Sequence, residues 1–318
     1  MTDLVIQQQD IIERILTLEL VRVTERAAVS SARWRGRGDE KAADQAAVDA
    51  MRRELNRLPI DGTIVIGEKV GTKTGPKVDI AVDPLEGTTL CAKDMPGSIA
   101  VMAMAQAGAL LNAPDVYMDK IAVGPGYPRG VVDLDMSPEE NIRSLAKAKG
   151  VKIGEITVLI LDRPRHLGLI EACRKVGASI RLITDGDVAG VIFTTQSETT
   201  GVDLYLGSGG APEGVLGAGA LRCVGGQMQG RLILDTEAKR VRAFGMGITD
   251  PLKKYDMKEL ASGDVVVAAT GVTDGALLRG VRFHKDRVET ETIIYRSVTG
   301  TVRRIAAEHR QFGKFKLD

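Results

Sequence analysis

Asp83 and Glu86 stand three residues apart in the run Asp79-Ile80-Ala81-Val82-Asp83-Pro84-Leu85-Glu86-Gly87-Thr88-Thr89. Two carboxylates on a rigid turn repel each other unless a cation lies between them. Hard divalent ions such as Mg²⁺ or Mn²⁺ take oxygen ligands of this kind and often add substrate phosphates to their shell. A solvated acidic turn is the competing reading, because Asp-Pro followed by Glu-Gly is good turn chemistry by itself. Three more carboxylates bear on the choice. Asp44 heads an otherwise apolar helical stripe of Ala47, Val48, Met51 and Leu55. There it is either a costly buried charge that needs a partner or metal, or an acid favoured by the helix dipole. Glu68 closes Thr63-Ile64-Val65-Ile66-Gly67-Glu68. Glu213 follows a glycine-rich run at a helix start, where it satisfies the dipole or adds a metal ligand.

These residues need elements to hold them. Residues 78–82 alternate as a strand, with Ile80 and Val82 on one face, and Pro84 is expected to end it at Asp83 or just after. Residues 60–68 read as a second strand, joined to the first by a hairpin-like loop over 69–77. Amphipathic helices are expected over 13–34 and 41–56, separated by Gly36 and Gly38. Residues 98–104 and 120–123 read as strands and 139–149 as a polar helix. Residues 150–155 mark the expected boundary between a domain over 1–153 and another over 154–318.

Beyond Ile156, strands over 157–161, 179–183 and 203–206 alternate with helices over 166–176, 188–195 and 213–223. That alternation implies a mostly parallel sheet, in which ligands gather at the carboxyl ends of the strands. Three polar loops lie there: Asp162-Arg163-Pro164-Arg165-His166, Thr184-Asp185-Gly186-Asp187, and Gly207-Ser208-Gly209-Gly210-Ala211-Pro212-Glu213-Gly214. Arg163 and Arg165 straddle a stiff proline and suit forked phosphate contacts, although a solvated surface turn is the alternative. Asp185 and Asp187 can accept from sugar hydroxyls, or Asp187 can cap a helix. The glycine run offers amides near a helix start, an anion-binding arrangement, but it is neither GxGxxG nor a Walker loop. His166 reads as structural. Strands over 265–270, 291–297 and 299–305 are expected to complete the second sheet. The segment 269–275 carries no chemistry we can read from its residues.

Bulk composition narrows the function. Lys+Arg 43 against Asp+Glu 42 gives a net charge of +1, which points to neither nucleic acid nor a membrane surface. An aromatic content of 3% argues against base stacking. Cys91, Cys173 and Cys223 are widely spaced, without a CxxC, and read as buried free thiols in a reducing compartment. No apolar run approaches a membrane span and no basic-then-apolar signal opens the chain, so a soluble cytoplasmic protein is expected.

The run Asp83-Pro84-Leu85-Glu86-Gly87-Thr88 resembles the Asp-Pro-x-(Asp/Glu)-Gly-Thr signature of the metal-dependent, lithium-sensitive sugar and inositol phosphatases. With its flanking motifs it most resembles the class II (GlpX-type) fructose-1,6-bisphosphatases, from about Val21 to about Arg304. The resemblance implies a layered α/β sandwich with an N-terminal mixed-sheet domain and a C-terminal mostly parallel α/β domain. It implies hydrolysis of the 1-phosphate of fructose 1,6-bisphosphate in gluconeogenesis, with sedoheptulose 1,7-bisphosphate as a further substrate, and a homodimer or homotetramer. Two or three Mn²⁺ or Mg²⁺ ions are implied, on Asp44, Glu68, Asp83, Glu86 and Glu213, with Asp44, Thr88 and Glu68 catalytic. Sugar-phosphate contacts are implied at Glu86, Gly87, Thr88, Tyr117, Arg163, Pro164, Arg165, Asp185, Gly186, Asp187 and Gly210. Inositol monophosphate or nucleotide 3′-phosphatase activity is the alternative chemistry.

One departure stands out. Family members usually have Ile-Gly-Glu-Gly-Glu, a further acidic segment and then a second Ile-Gly-Glu before Lys-Val-Gly. Here Ile66-Gly67-Glu68 runs directly into Lys69-Val70-Gly71, so Glu68 matches either the first glutamate, a family metal ligand, or the last, which is not one. We expect a mobile acidic loop between Glu68 and Lys69 in addition to the residues numbered here. Its true absence would favour a catalytically inactive sugar-phosphate sensor.

Overall fold

A computed structural model describes residues 16–65 and 67–315. Helix α1 (Leu16–Ala32) buries Leu16, Leu20, Val23 and Ala27, the stripe its spacing predicts. The start expected at 13–15 lies outside the described residues. Helix α2 (Glu40–Leu55) is capped by Asp39, whose side chain accepts from the Ala42 amide at 2.9 Å. Strands β1 (Asp61–Ile64), β2 (Lys69–Val70) and β3 (Lys77–Glu86) follow, then the short helix α3 (Thr88–Ala92) and strand β4 (Ile99–Gln106).

Pairing corrects the hairpin expected between residues 60–68 and 78–82. Strands β1 and β3 are parallel neighbours (Ile64 opposite Ile80), and the hairpin joins β1 to β2 instead. Its turn is closed by the Ile64 amide donating to the Glu68 carbonyl at 2.7 Å; the expected strand residue Ile66 lies outside the described residues. Lys69 directly follows Glu68 and pairs with Thr63, so the loop expected there is not part of this chain. Pro84 does not end β3 either. The strand continues to Glu86 because a register shift against β4 between Asp83 and Glu86 accommodates the missing donor.

The chain then enters a second sheet. Its elements are β5 (Tyr117–Val123), α4 (Pro138–Lys149), β6 (Thr157–Leu161), α5 (Leu167–Val176), β7 (Ser179–Ile183), α6 (Asp187–Thr194) and α7 (Ser197–Thr200). They continue through β8 (Leu204–Gly210), α8 (Ala211–Val224), β9 (Gln227–Leu232), α9 (Glu237–Gly245), β10 (Lys254–Asp256) and α10 (Met257–Leu260). The strand order is β10-β9-β5-β8-β6-β7. Only β6 with its neighbours β7 and β8 is parallel; β5 is antiparallel to both β8 and β9. The sheet is therefore mixed where a mostly parallel one is expected, because β5 and the β9–β10 pair flank the βαβ core.

The remaining strands return to the first sheet. They are β11 (Val265–Gly271), β12 (Arg282–Phe283), β13 (Val288–Arg296) and β14 (Thr301–His309). The sheet is ordered β12-β13-β11-β4-β3-β1-β2, with β14 on β13. This corrects the expectation that these strands complete the second sheet. Strand β11, buried at every residue, pairs with β4 over seven positions, and no local signal in the sequence names that partner. Among the described residues, those up to Leu110 and those from Gly263 form one compact unit, and Leu111–Ser262 form the other. The boundary expected at 153/154 falls inside the second unit. No helix among the described residues is long and apolar enough to cross a membrane.

The end of the first unit is tied down by a buried polar chain. Lys314 donates to His309 Nδ1 at 2.6 Å, which leaves Nε2–H to donate to the Thr290 hydroxyl at 2.9 Å; that hydroxyl donates to Glu25 at 3.1 Å. Phe315 packs edge-on against the imidazole at 5.1 Å. Burial, with the Lys314 and Arg26 charges, holds His309 down at about 4, whereas burial raises the Glu25 carboxyl. A histidine depressed in the folded state binds its proton more readily when unfolded. Its contribution is complete above the ordinary histidine value and is lost as pH falls from about 6.5 towards 4. Denaturant titrations should show wild type losing up to about 3 kcal/mol more than His309→Gln across that window. Parallel pH profiles would contradict the neutral, buried imidazole.

Candidate active site

In the first unit, the register shift in β3 presents Asp83 and Glu86 together. Each offers a carboxylate oxygen, and the two lie within 4.8 Å of one another. Glu86 is only 4% exposed, so its charge has little water to solvate it. The turn is pinned from behind. Asp83 accepts from the Leu85 amide at 3.1 Å, and the Ser98 hydroxyl donates to the Glu86 carbonyl at 2.9 Å. The Ser98 amide donates to the Thr273 hydroxyl at 2.9 Å, and the Gly97 amide to the Asp274 carbonyl at 2.9 Å. Residues 269–275, to which the sequence attached no chemistry, thus brace the acidic turn. Gly87 adopts φ +78° as the cap of α3, where a side chain would also press on Leu90, and Thr88 opens that helix.

The other expected carboxylates of this unit stand differently. Asp44 is half-buried on α2, and desolvation raises its carboxyl above the ordinary value. Glu68 forms an ion pair with Arg52 at 2.7 Å, both side chains exposed. Neither groups with Asp83 and Glu86 at coordinating distance. Glu68, expected as a metal ligand, instead faces Arg52 of α2 from the tight β1–β2 turn. Beside the acidic turn, Met51, Leu55, Ile64, Val70, Val82 and Pro84 line an apolar hollow of about 240 Å³.

In the second unit, the residues expected to hold a sugar phosphate cluster around the ends of β5 and β8, where Tyr117 lies opposite Gly210. Arg165 lies over the Tyr117 ring at 4.8 Å. Its Nε donates to the Ser208 hydroxyl at 3.0 Å and its Nη2 to the Ser208 carbonyl at 2.7 Å. Both contacts fix the guanidinium and leave its Nη1 without a partner among the described residues. Arg163, across Pro164, is looser, 3.8 Å from Asp185. His166 is structural, as expected. Its Nε2 accepts from the Ser208 amide at 2.9 Å, so Nδ1–H donates to the Leu161 carbonyl at 2.8 Å, and burial holds the ring neutral. A cavity of about 310 Å³ on this face includes Asp119, Arg165, His166, Ser208 and Arg231 in its lining.

Asp187 departs from the expectation. Gly186 caps α6, and Asp187 is 5% exposed with both oxygens engaged, by Lys120 and by the Tyr205 hydroxyl. It therefore has no oxygen turned to solvent for a sugar. Burial alone would raise its carboxyl, but the adjacent Lys120 ammonium and hydrogen bonds from Lys120 and Tyr205 hold it below the usual carboxylate range. Lys120 also donates to the Gly210 carbonyl at 2.7 Å, and the Gly210 amide donates to Glu213 at 2.9 Å. Residues 207–210 are strand, not loop, and Gly210 spends its amide on Glu213. Only glycine fits at 209, where an added Cβ would lie 2.0 Å from Asp187. Lys120 was missed in the sequence, although it alternates with Met118 and Ala122 on one strand face. Replacing it by methionine should cost about 3 kcal/mol or more in denaturant unfolding, by leaving Asp187 buried and unpaired. A loss below about 1 kcal/mol would show that the pair is not desolvated.

The sequence profile described as bacterial fructose-1,6-bisphosphatase, glpX-encoded, matches residues 14–309. A Synechococcus protein (strain JA-2-3B'a(2-13)) named D-fructose 1,6-bisphosphatase class 2/sedoheptulose 1,7-bisphosphatase is 43% identical, over 94% of this chain and 96% of its own. The protein of the same name from Synechococcus elongatus is 40% identical over 93% and 96%. The first alignment runs over 337 positions, more than the 318 residues here, so that relative has stretches this chain lacks. The solved structure of the extragenic suppressor protein suhB from Bartonella henselae gives a TM-score of 0.35 at 16% identity, covering 57% of this chain and 73% of its own, a partial likeness only. With the match spanning nearly its whole length, the chain belongs to the bacterial, glpX-encoded fructose-1,6-bisphosphatase family.

Proposed function

We propose that this protein hydrolyses the 1-phosphate of fructose 1,6-bisphosphate, giving fructose 6-phosphate and phosphate, and accepts sedoheptulose 1,7-bisphosphate as well. The observation that carries the reading is the braced Asp83–Glu86 pair, Glu86 buried and Asp83 half-buried, in a chain of this family. Hard oxygen donors held this close, one almost dry, suit Mg²⁺ or Mn²⁺. Asp83 and Glu86 would hold the ions, with Glu213 as a further ligand. Bound there, the metals would supply an acidified water and charge neutralisation at the reacting phosphate.

The chain's own residues do the rest. The Thr88 hydroxyl, fixed at the start of α3, orients the attacking water. The Asp44 carboxyl, raised by desolvation, is suited to taking its proton. Arg165, held by Ser208 and Tyr117, receives the distal phosphate, and Arg163 adds a second guanidinium. Asp185 accepts from the sugar. Asp187 acts one step removed, holding Lys120 and the Gly210 backbone in place.

A second reading rests on the β1–β2 turn. Glu68 pairs with Arg52, and the family's acidic segment is absent, so a binding protein with little turnover is the alternative. Phosphate release from fructose 1,6-bisphosphate, measured with Mg²⁺ and with Mn²⁺, separates the two. The hydrolase releases phosphate and stops when a chelator removes the metal; the binding protein gains thermal stability with the sugar and releases none. Asp83→Ala should abolish turnover, whereas Arg165→Gln should raise KM about tenfold or more, the worth of a charged hydrogen bond. Retained turnover in Asp83→Ala would refute the metal assignment.

A further inference from the structure

The first unit holds a second concentration of charge, made of cations. Past the end of α1, Arg33, Trp34 and Arg37 face Asp49 and Arg53 of α2 across a cavity of about 360 Å³, with Phe315 also in its lining. Among the described residues, Arg33, Arg37 and Arg53 make no ion pair and no side-chain hydrogen bond. Asp49 is the single acidic group in the lining, and it already accepts from Gln45 at 2.8 Å. The Arg37 guanidinium lies 5.7 Å from the Trp34 ring and that of Arg26 lies 4.9 Å from the Phe315 ring. Arg26 lies outside that lining; its Nη1 is buried without a hydrogen-bond partner, while its Nε lies 3.7 Å from Glu54.

A solvated basic face would spread its cations over convex surface. Here they converge on a hollow with an aromatic wall. Three guanidiniums against one carboxylate leave a lining charge of about +2, the complement of a phosphoryl dianion. We propose that this cavity binds a phosphomonoester, its phosphoryl group on Arg33, Arg37 and Arg53 and its organic part against Trp34 and Phe315. The site lies wholly within the first unit and does not depend on the reading of the acidic turn.

Trp34 is the one tryptophan of the chain, so its fluorescence reports on this cavity alone. The purified full-length protein would be titrated with inorganic phosphate, methylphosphonate and phenylphosphonate, none of which has an ester bond to cleave, at constant ionic strength held with chloride. Saturable change with all three is expected, with phenylphosphonate tightest. Arg33→Gln and Arg53→Gln should each weaken binding about tenfold, a charged hydrogen bond's worth, with circular dichroism and turnover unchanged. Arg165→Gln should leave the titration intact, which separates this cavity from the sugar-phosphate residues. Equal affinity for the two phosphonates would remove the aromatic part of the proposal. The proposal falls if chloride alone reproduces the change, if both arginine variants bind as wild type does, or if only an oligonucleotide or acidic peptide binds.

Discussion

Electrostatic repulsion between Asp83 and Glu86 is the constraint around which the first unit is built. Left to itself, a turn bearing two carboxylates would swing them apart into water. The register shift between β3 and β4 prevents this, because it is fixed by strand pairing on both sides of Pro84. Behind it, Ser98 and Thr273 lock the backbone, and Ser98 reaches the Glu86 carbonyl. The two side chains are therefore held close by the β3–β4 pairing and by the segment that follows the buried strand β11, not by the turn alone. Acidic oxygens grouped in this way could hold a cation.

The second unit uses the opposite device, a charge pair satisfied internally. Lys120 and Asp187 neutralise each other out of water, and the pair stays viable because Tyr205, Gly210 and Glu213 complete the hydrogen bonding. This network holds the ends of β5 and β8 in register. Arg165 is then positioned on the other partners of those strand ends, Ser208 and Tyr117. One face of the sheet thus carries rigidity, while the other presents a guanidinium whose Nη1 is uncommitted.

The β1–β2 turn shows how a local change in length reassigns a residue. With Lys69 paired to Thr63, the chain must reverse within the five residues between them, and Glu68 is delivered to Arg52 on α2. A longer connection would let the same glutamate reach elsewhere. The apolar hollow between α2 and Pro84 is lined in part by this short hairpin, through Ile64, Glu68 and Val70.

The sequence by itself determined the α/β class, both N-terminal helices, the acidic turn and the structural role of His166. Each depends on side-chain period, caps or a contiguous motif, which are local properties of the chain. It did not place Asp187 among buried partners, because Lys120 lies 67 residues away. Nor did it send β11 to β4, since apolar strands of similar composition carry no address for their partners. Tertiary structure alone decided which unit the last strands belong to, which loop braces Glu86 and where the unpaired arginines converge. Those outcomes depend on pairings between residues far apart in the chain, whose free energy exists only once the sheets have formed.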